Sequence, residues 1–542
     1  MQVSRSGRYS VERMLALDEY TRSTSLFRAV VVCTVTPLPM IAIVIIQESV
    51  PLTSPEDGWR ANYGVWTRIA TLGAAVAFTI VLEMQHRVKG VQICAWDLLL
   101  LALCMGATYC TIGIVLAVTW AFPVPFIGLM ISSPGAVVFI GLLRVICGRK
   151  TWTQILRKPD LIIRLILFLS AQAATAIIYQ GYSAAFRAAS NTLFELPLLL
   201  LLPVIKLIMK NVVARFVDHL EDLIPESVMF TVEPFNTIYT AMCLQITPSI
   251  LTVTAILALD GLHTTHALYG LHKHTAHLLR PTQYPGGQVP VQPTLLSVAH
   301  TACQQLLATN RKSKRYRGQL RLRSCAAHNL SPMQVSLLES LEKVPVFAAC
   351  DQSTAPSGPN LALIPHTPHA ISREPPSAKP DTSVRDRDST DNRVGACPTK
   401  VLGEALGALF TSECLVIAEY LEAMIPVVYG VYLLIMAHLP VARYHGELDG
   451  IAAADFGGKL GMVFLYGILE LASFVMFAII LQRNCRLNAL YHLAFVLETQ
   501  PAVIQTKLIV WMIALAGLQV PHFGIDYSFE FAWLRNANTV NS

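Results

Sequence analysis

The chain has 542 residues, of which 54% are hydrophobic and only 14% charged, against roughly 25% charged in soluble domains. With a mean hydropathy of +0.50, this composition excludes a soluble globular protein. The net charge of +6 is uneven: residues 271–400 hold 16 Lys and Arg against 8 Asp and Glu, which leaves the remainder at −2.

Several runs reach the roughly 20 apolar residues that a membrane helix needs. They are continuous rather than alternating, so helices and not barrel strands are expected. The 12 cysteines include no CxxC pair, which leaves no disulfide framework or zinc-finger spacing. Cys33, Cys104, Cys110, Cys147, Cys243 and Cys414 lie in or beside apolar runs and read as small core residues.

Residues 1–25 are polar and carry Arg5, Arg8, Arg13 and Arg22. Within them Ser10–Tyr20 reads as a short amphipathic helix on the membrane surface. The first apolar run, about Leu26–Gln47, is too long for a signal-peptide core and is expected to stay as span 1, with Pro37 and Pro39 kinking it. Spans 2, 3 and 4 are predicted at about Trp66–Met84, Leu98–Ala121 and Val124–Cys147, the last two joined by a tight turn at Phe122–Pro125. Ser132-Ser133-Pro134-Gly135 predicts a helix break in span 4. Spans 5 and 6 follow at about Leu161–Tyr182 and Leu193–Lys210, then an amphipathic acidic piece, Asn211–Ile224.

Basic residues sort the loops. The N-terminus, His86/Arg87/Lys89, Arg144–Lys158 and Lys206/Lys210/Arg215 all belong on the cytoplasmic side, which makes the N-terminal half six spans. Downstream, spans are predicted at about Cys414–Leu439, Leu460–Leu481 and Lys507–Pro521, with an interfacial helix at Asn488–Glu498. Between the halves lies Val228–Gly270, mostly apolar and interrupted at Thr247-Pro248. Two crossings, Val228–Ile246 and Ser249–Gly270, keep the basic 271–400 loop cytoplasmic. One long kinked helix would put that loop outside, and the sequence leaves both open.

Inside the loop, Pro281–Pro293 reads as linker and Thr294–Leu307 has helical spacing. Ser331-Pro332-Met333-Gln334 is a helix start. Cys350–Lys400, rich in Pro, Ser, Thr and Asp, is expected to be disordered. In the tail, Ile525, Tyr527, Phe529, Phe531 and Trp533 alternate with other residues, and read as an interfacial aromatic anchor rather than a strand.

Ionisable residues inside spans are expensive and so mark candidate sites. Glu470 falls mid-span, and Glu419 and Glu422, three apart, share a helix face. These are the candidate substrate or ion ligands. The bland alternative lets Glu413 and Glu419 snorkel to the interface and Glu470 bond a neighbouring helix. Glu195, Lys206 and Arg164 are expected at span ends. At 100° per residue, His263, His266, His274 and His277 fall within about 80° of one another, an imidazole stripe that is either a metal or pH-sensing site or one polar helix face.

Arg311, Lys312, Lys314, Arg315 and Arg317 open a run to Arg323 with seven basic and no acidic residues. It is a candidate contact for anionic lipid headgroups, or simply a solvated run. No GxSxG, HExxH or P-loop pattern occurs, so an embedded enzyme is the least favoured class. Gly403/Gly407 and Gly457/Gly461 are weak helix-packing signals. No cofactor and no nucleic-acid partner is expected. The expected partners are the bilayer, anionic lipids and whatever binds the 271–400 loop.

SVERMLALDEYTRSTSLFRAVVVCTVTPLPM, GWRANYGVWTR, LLPVIKLIMKN and LQVPHFGIDYSFEF together resemble a large family of polytopic membrane proteins of oomycetes, Phytophthora and its relatives. The resemblance covers most of the chain outside roughly 280–400. It implies a membrane class and a source, and brings no activity, cofactor or site residue.

The sequence therefore predicts an all-α polytopic bundle of about 10–11 membrane helices with a large, partly disordered cytoplasmic loop. The expected organisation is an N-terminal segment (1–25), a six-helix half (26–224), the pivotal stretch (228–270), the loop (271–400), a three-helix half (401–522) and a tail (523–542). A transporter or channel is the leading functional expectation, resting on span number, broken helices and Glu470. A membrane sensor or scaffold acting through the loop is the competing one. The expected location is the plasma membrane or an endomembrane, with the C-terminus outside.

Overall fold

A computed structural model describes residues 9–88, 90–189, 192, 194–246, 250–279, 294–308, 320–326, 328–344, 347, 398–445, 453–526 and 531. Among them there is no strand. The helices are α1 (Val11–Ser23), α2 (Leu26–Val35), α3 (Leu38–Glu48), α4 (Gly58–Ala61), α5 (Tyr63–Arg87), α6 (Ala95–Thr119), α7 (Ile127–Ile146), α8 (Gly148–Leu156), α9 (Pro159–Ala189), α10 (Glu195–Leu199) and α11 (Leu201–Phe216). They continue with α12 (Ile224–Ile246), α13 (Ile250–Ala276), α14 (Leu295–Ala308), α15 (Pro332–Glu342), α16 (Pro398–Met436), α17 (Ala453–Cys485), α18 (Ala489–Thr499) and α19 (Pro501–Leu518).

Among the described residues nine helical stretches are long and apolar enough to cross a membrane. The first combines α2 and α3, which part at Thr36-Pro37 because proline cannot donate to the helix ladder. α16 is central: 78% of its most apolar window is buried, against 17% for α7 at the periphery. α12 is also encased, packing on α16, α11, α9 and α17. Glu226, Glu233, Pro234 and Asn236 keep it outside the apolar set, yet almost all of it is buried.

Contacts along α16 give the directions of α12 and α13. Tyr429 donates to Gln245 of α12, while Glu233, earlier on α12, meets Lys206 beside Glu422. Thr264 of α13 donates to Glu419, and His277, later on α13, meets Glu404. So α12 runs with α16 and α13 runs against it; the pair is antiparallel. Thr247-Pro248, the interruption between them, lies outside the described residues.

The polar ends gather on two faces. On one, Asp222 accepts from Ser10 and Ser324, α18 packs on α1, and α14 and α15 pack beside them. On the other, Arg68 and His445 meet Glu48, His522 meets the Thr53 carbonyl, and the Phe126 amide donates to the Gly524 carbonyl. Ile525 packs here too, and the Phe531 ring stands 5.9 Å from Phe126; the other tail aromatics lie outside the described residues.

Four expectations are corrected. Ser10–Tyr20 does form a helix, but α1 is not on the membrane surface: Val11 and Arg13 through Asp18 are buried between helices. Ser132–Gly135 does not break α7, which is continuous; the Ser132 hydroxyl bonds back to the Leu129 carbonyl, and Gly135 gives Tyr109 room to pack. Gly407 faces open space and Gly403 meets only Leu320 at 3.6 Å, whereas the close approach is at Gly73 and Gly106 between α5 and α6. Lys206 sits inside Pro197–Phe216 rather than at a span end, because the helix continues beyond Lys210. Cys350–Lys400 falls outside the described residues up to 397, and 398–400 open α16.

Candidate ion or solute site

Four helices bring charge to the middle of the bundle. Lys206 and Lys210 stand one turn apart on α11, Glu233 projects from α12, Asp260 from α13, and Glu419 and Glu422 from α16. Lys206 pairs with Glu422, with Glu233 at 3.3 Å and with Asp260 at 3.9 Å; Lys210 pairs with Glu233. Glu419 accepts from the Thr264 hydroxyl and has no ion pair among the described residues. Glu233, Glu419 and Glu422 are all buried.

All of these charged groups except Glu233 line a cavity of about 850 Å³. Its walls carry Lys206, Lys210, Asp260, Glu419 and Glu422, and also His263, His266 and His274. The two features that the sequence shows separately, paired carboxylates and an imidazole stripe, thus face one space. His277 lies apart and meets Glu404 at 2.7 Å. Glu470 is buried on α17 behind the cavity wall; Tyr466, one turn before it, lines the cavity and hydrogen-bonds it.

Among the described residues no group of three or more His, Cys, Asp and Glu side chains is placed to hold a metal. The imidazoles are spread along α13 instead of converging. Arg311, Lys312, Lys314, Arg315 and Arg317 lie outside the described residues. The end of that run is described: Arg321 pairs with Glu221 at 3.5 Å and Arg323 with Glu342 at 3.0 Å.

Sequence reading misses Glu233 and Asp260 and misplaces the two lysines. The available signal was the i, i+4 lysine pair inside an otherwise apolar run. Such a pair demands buried carboxylates as partners.

A second charged cluster joins the N-terminal helix to the bundle. Arg13 donates to both oxygens of Glu413, at 2.8 and 3.3 Å, and His492 of α18 meets the same carboxylate at 3.2 Å. Glu413 therefore does not snorkel. Burial alone would lower the Arg13 pKa, but Glu413 beside it holds the guanidinium above its ordinary value. His328, stacked on Phe495 and 3.1 Å from the Ser324 hydroxyl, is lowered to about 4, by burial first and then by the Arg13 charge. Nearby, Glu83 is shared between Arg87 at 2.6 Å and Lys507 at 3.0 Å.

Long apolar helices packed around this buried charge define an integral, multi-pass helical membrane protein. No protein-family model, curated protein or solved structure matches the chain.

Proposed function

We propose that this protein is a transporter or channel that moves a small solute or ion past membrane-buried carboxylates. The observation that carries the reading is the charged cavity of about 850 Å³ within the bundle. Burying an ion costs several kcal/mol even when it is paired, so ionisable clusters among spans mark what a protein binds or relays. Two lysines face four carboxylates, Glu233, Asp260, Glu419 and Glu422, which leaves the site short of positive charge. Cations or protons supply it. Proline sites at Thr36-Pro37, within α12 and within α16 free backbone carbonyls of the kind that line such pathways.

Flux into proteoliposomes is the test, read with a pH dye and with labelled alkali cations and small amines. Glu422→Gln and Glu419→Gln are expected to slow whichever flux the wild type supports by tenfold or more, with unchanged incorporation. No flux above empty liposomes, or a flux indifferent to both substitutions, sinks the reading.

A sensor or scaffold is the second reading, favoured by the docking of 320–326 and of α14 and α15 against α1. It expects deletion of residues 348–397 to abolish function in cells while the glutamate variants remain active. We place the face bearing α1 in the cytoplasm, because Arg13, Arg87, Arg321 and Arg323 gather on it.

A further inference from the structure

The charged cavity is walled by two helices that pack on different neighbours. α11 lies on α9 and α12, whereas α13 lies on α16 and α17. Lys206 and Asp260, 3.9 Å apart, reach across between them. On the outer side both walls carry exposed leucines, with His263 and His266 of α13 exposed beside them. Leu200 and Leu207 of this wall segment and Leu259 of α13 line the cavity, yet they are 48%, 46% and 39% exposed. Large apolar side chains left exposed on membrane spans face lipid, which is as apolar as they are. The cavity therefore opens sideways, between α11 and α13, into the hydrocarbon. Its inner end is charged, and its mouth holds leucines with His263 and His266 at the α13 edge.

The charges say which head fits. Lys206 and Lys210 are engaged by Glu233 and Glu422. An anionic head would have to displace those carboxylates. Glu419 has only the Thr264 hydroxyl among the described residues, and Asp260 has a cation no nearer than 3.9 Å. These two acceptors face the cavity with capacity to spare. We propose that the cleft binds a single-chain amphiphile with a cationic amine head, the head between Asp260 and Glu419 and the chain between the leucines of α11 and α13. The inference deepens the transporter reading by naming its substrate class and rests on it only for movement; binding stands or falls separately.

The test uses the full-length protein in proteoliposomes and a long-chain amine bearing a diazirine in its chain. Irradiation is expected to label peptides from 195–216 and 250–276. Unlabelled dodecylamine should suppress that labelling at least tenfold, and butylamine and dodecanoate should not. Asp260→Asn with Glu419→Gln should remove it. Leu259→Trp, which fills the mouth and leaves every charge in place, should remove it too, and decides the matter if the double variant fails to fold. Equal competition by dodecanoate overturns the amine assignment. Equal competition by butylamine, or labelling indifferent to Leu259→Trp, overturns the lateral opening. Amine-selective labelling without any Glu422-dependent flux keeps this site and removes the transporter reading; Glu422-dependent flux of a soluble cation without such labelling does the reverse.

Discussion

Arg13 is fully buried, and its guanidinium has a carboxylate and two aromatic rings, Tyr9 and Phe495, around it. Removing one partner of a buried pair leaves the other charge stranded, at a cost on the order of 3–5 kcal/mol. Arg13→Ala is expected to lower the melting temperature in detergent sharply, whereas Arg13→Met with Glu413→Leu, which removes both charges, should recover most of it. An unchanged melting curve for Arg13→Ala contradicts the pairing. His328 sets a pH dependence on the same face, where Arg13, Asp222 and Glu413 act on it. Its folded pKa of about 4 lies below the ordinary 6.5, so protonation favours the undocked state. Docking of α1 should be constant above pH 6.5 and weaken progressively from there toward pH 4. Hydrogen exchange of α1 amides reads this directly, and His328→Phe should flatten the profile. At this scale legibility was partial. Glu419 and Glu422 stood out as i, i+3 acids in an apolar run. Lys206 did not, because sequence counts residues from an assumed span end and cannot see which carboxylate a lysine will meet.

Helices were more legible than their environments. The Ser331-Pro332 start gives α15 through Pro332 in its first turn, without a side-chain cap bond from Ser331, and apolar spacing gives α14, because proline's fixed φ and periodicity are local. α1 was recognised as a helix and wrongly laid on the membrane: its partners are α14, α15, α16 and α18, all hundreds of residues away in the chain. Likewise close helix–helix approach falls at Gly73 and Gly106 between α5 and α6 and at Gly135 of α7 against Tyr109. A Cβ on Gly106 would stand 2.7 Å from the Ala70 carbonyl oxygen, a backbone atom that cannot step aside, whereas Gly141 has nothing within 4 Å. Gly106→Val should therefore cost about 1–3 kcal/mol or more through overpacking, and Gly141→Val should be near neutral. Thermal melts of the two purified variants check this pair, and equal melting temperatures would contradict close α5–α6 packing.

Across the whole molecule, contacts give a topology that charge counting alone left ambiguous. Ser10 precedes the first span, Asp222 follows the sixth, Ser324 follows α13, and His492 follows α17, yet all four lie on one face. An even number of traverses must separate each from the next, and the antiparallel pair α12 and α13 runs away from this face and back to it. That pairing brings Glu233 and Asp260 to the same depth as Lys206, which is how the cavity acquires its charge. Glu48, the Thr53 carbonyl, His445 and His522 meet on the opposite face. In a background with Cys94, the exposed cysteine among the described residues, and also Cys350 and Cys397 replaced, Ser336→Cys on α15 and Glu56→Cys after the first span should react with a membrane-impermeant maleimide from opposite sides of sealed cells. With the α1 face in the cytoplasm, Glu56→Cys labels on intact cells and Ser336→Cys only after permeabilisation. The mirror result would invert the orientation and leave the architecture standing. Labelling of both from the same side would break the two-face arrangement, and with it the hairpin on which the buried charge cluster depends.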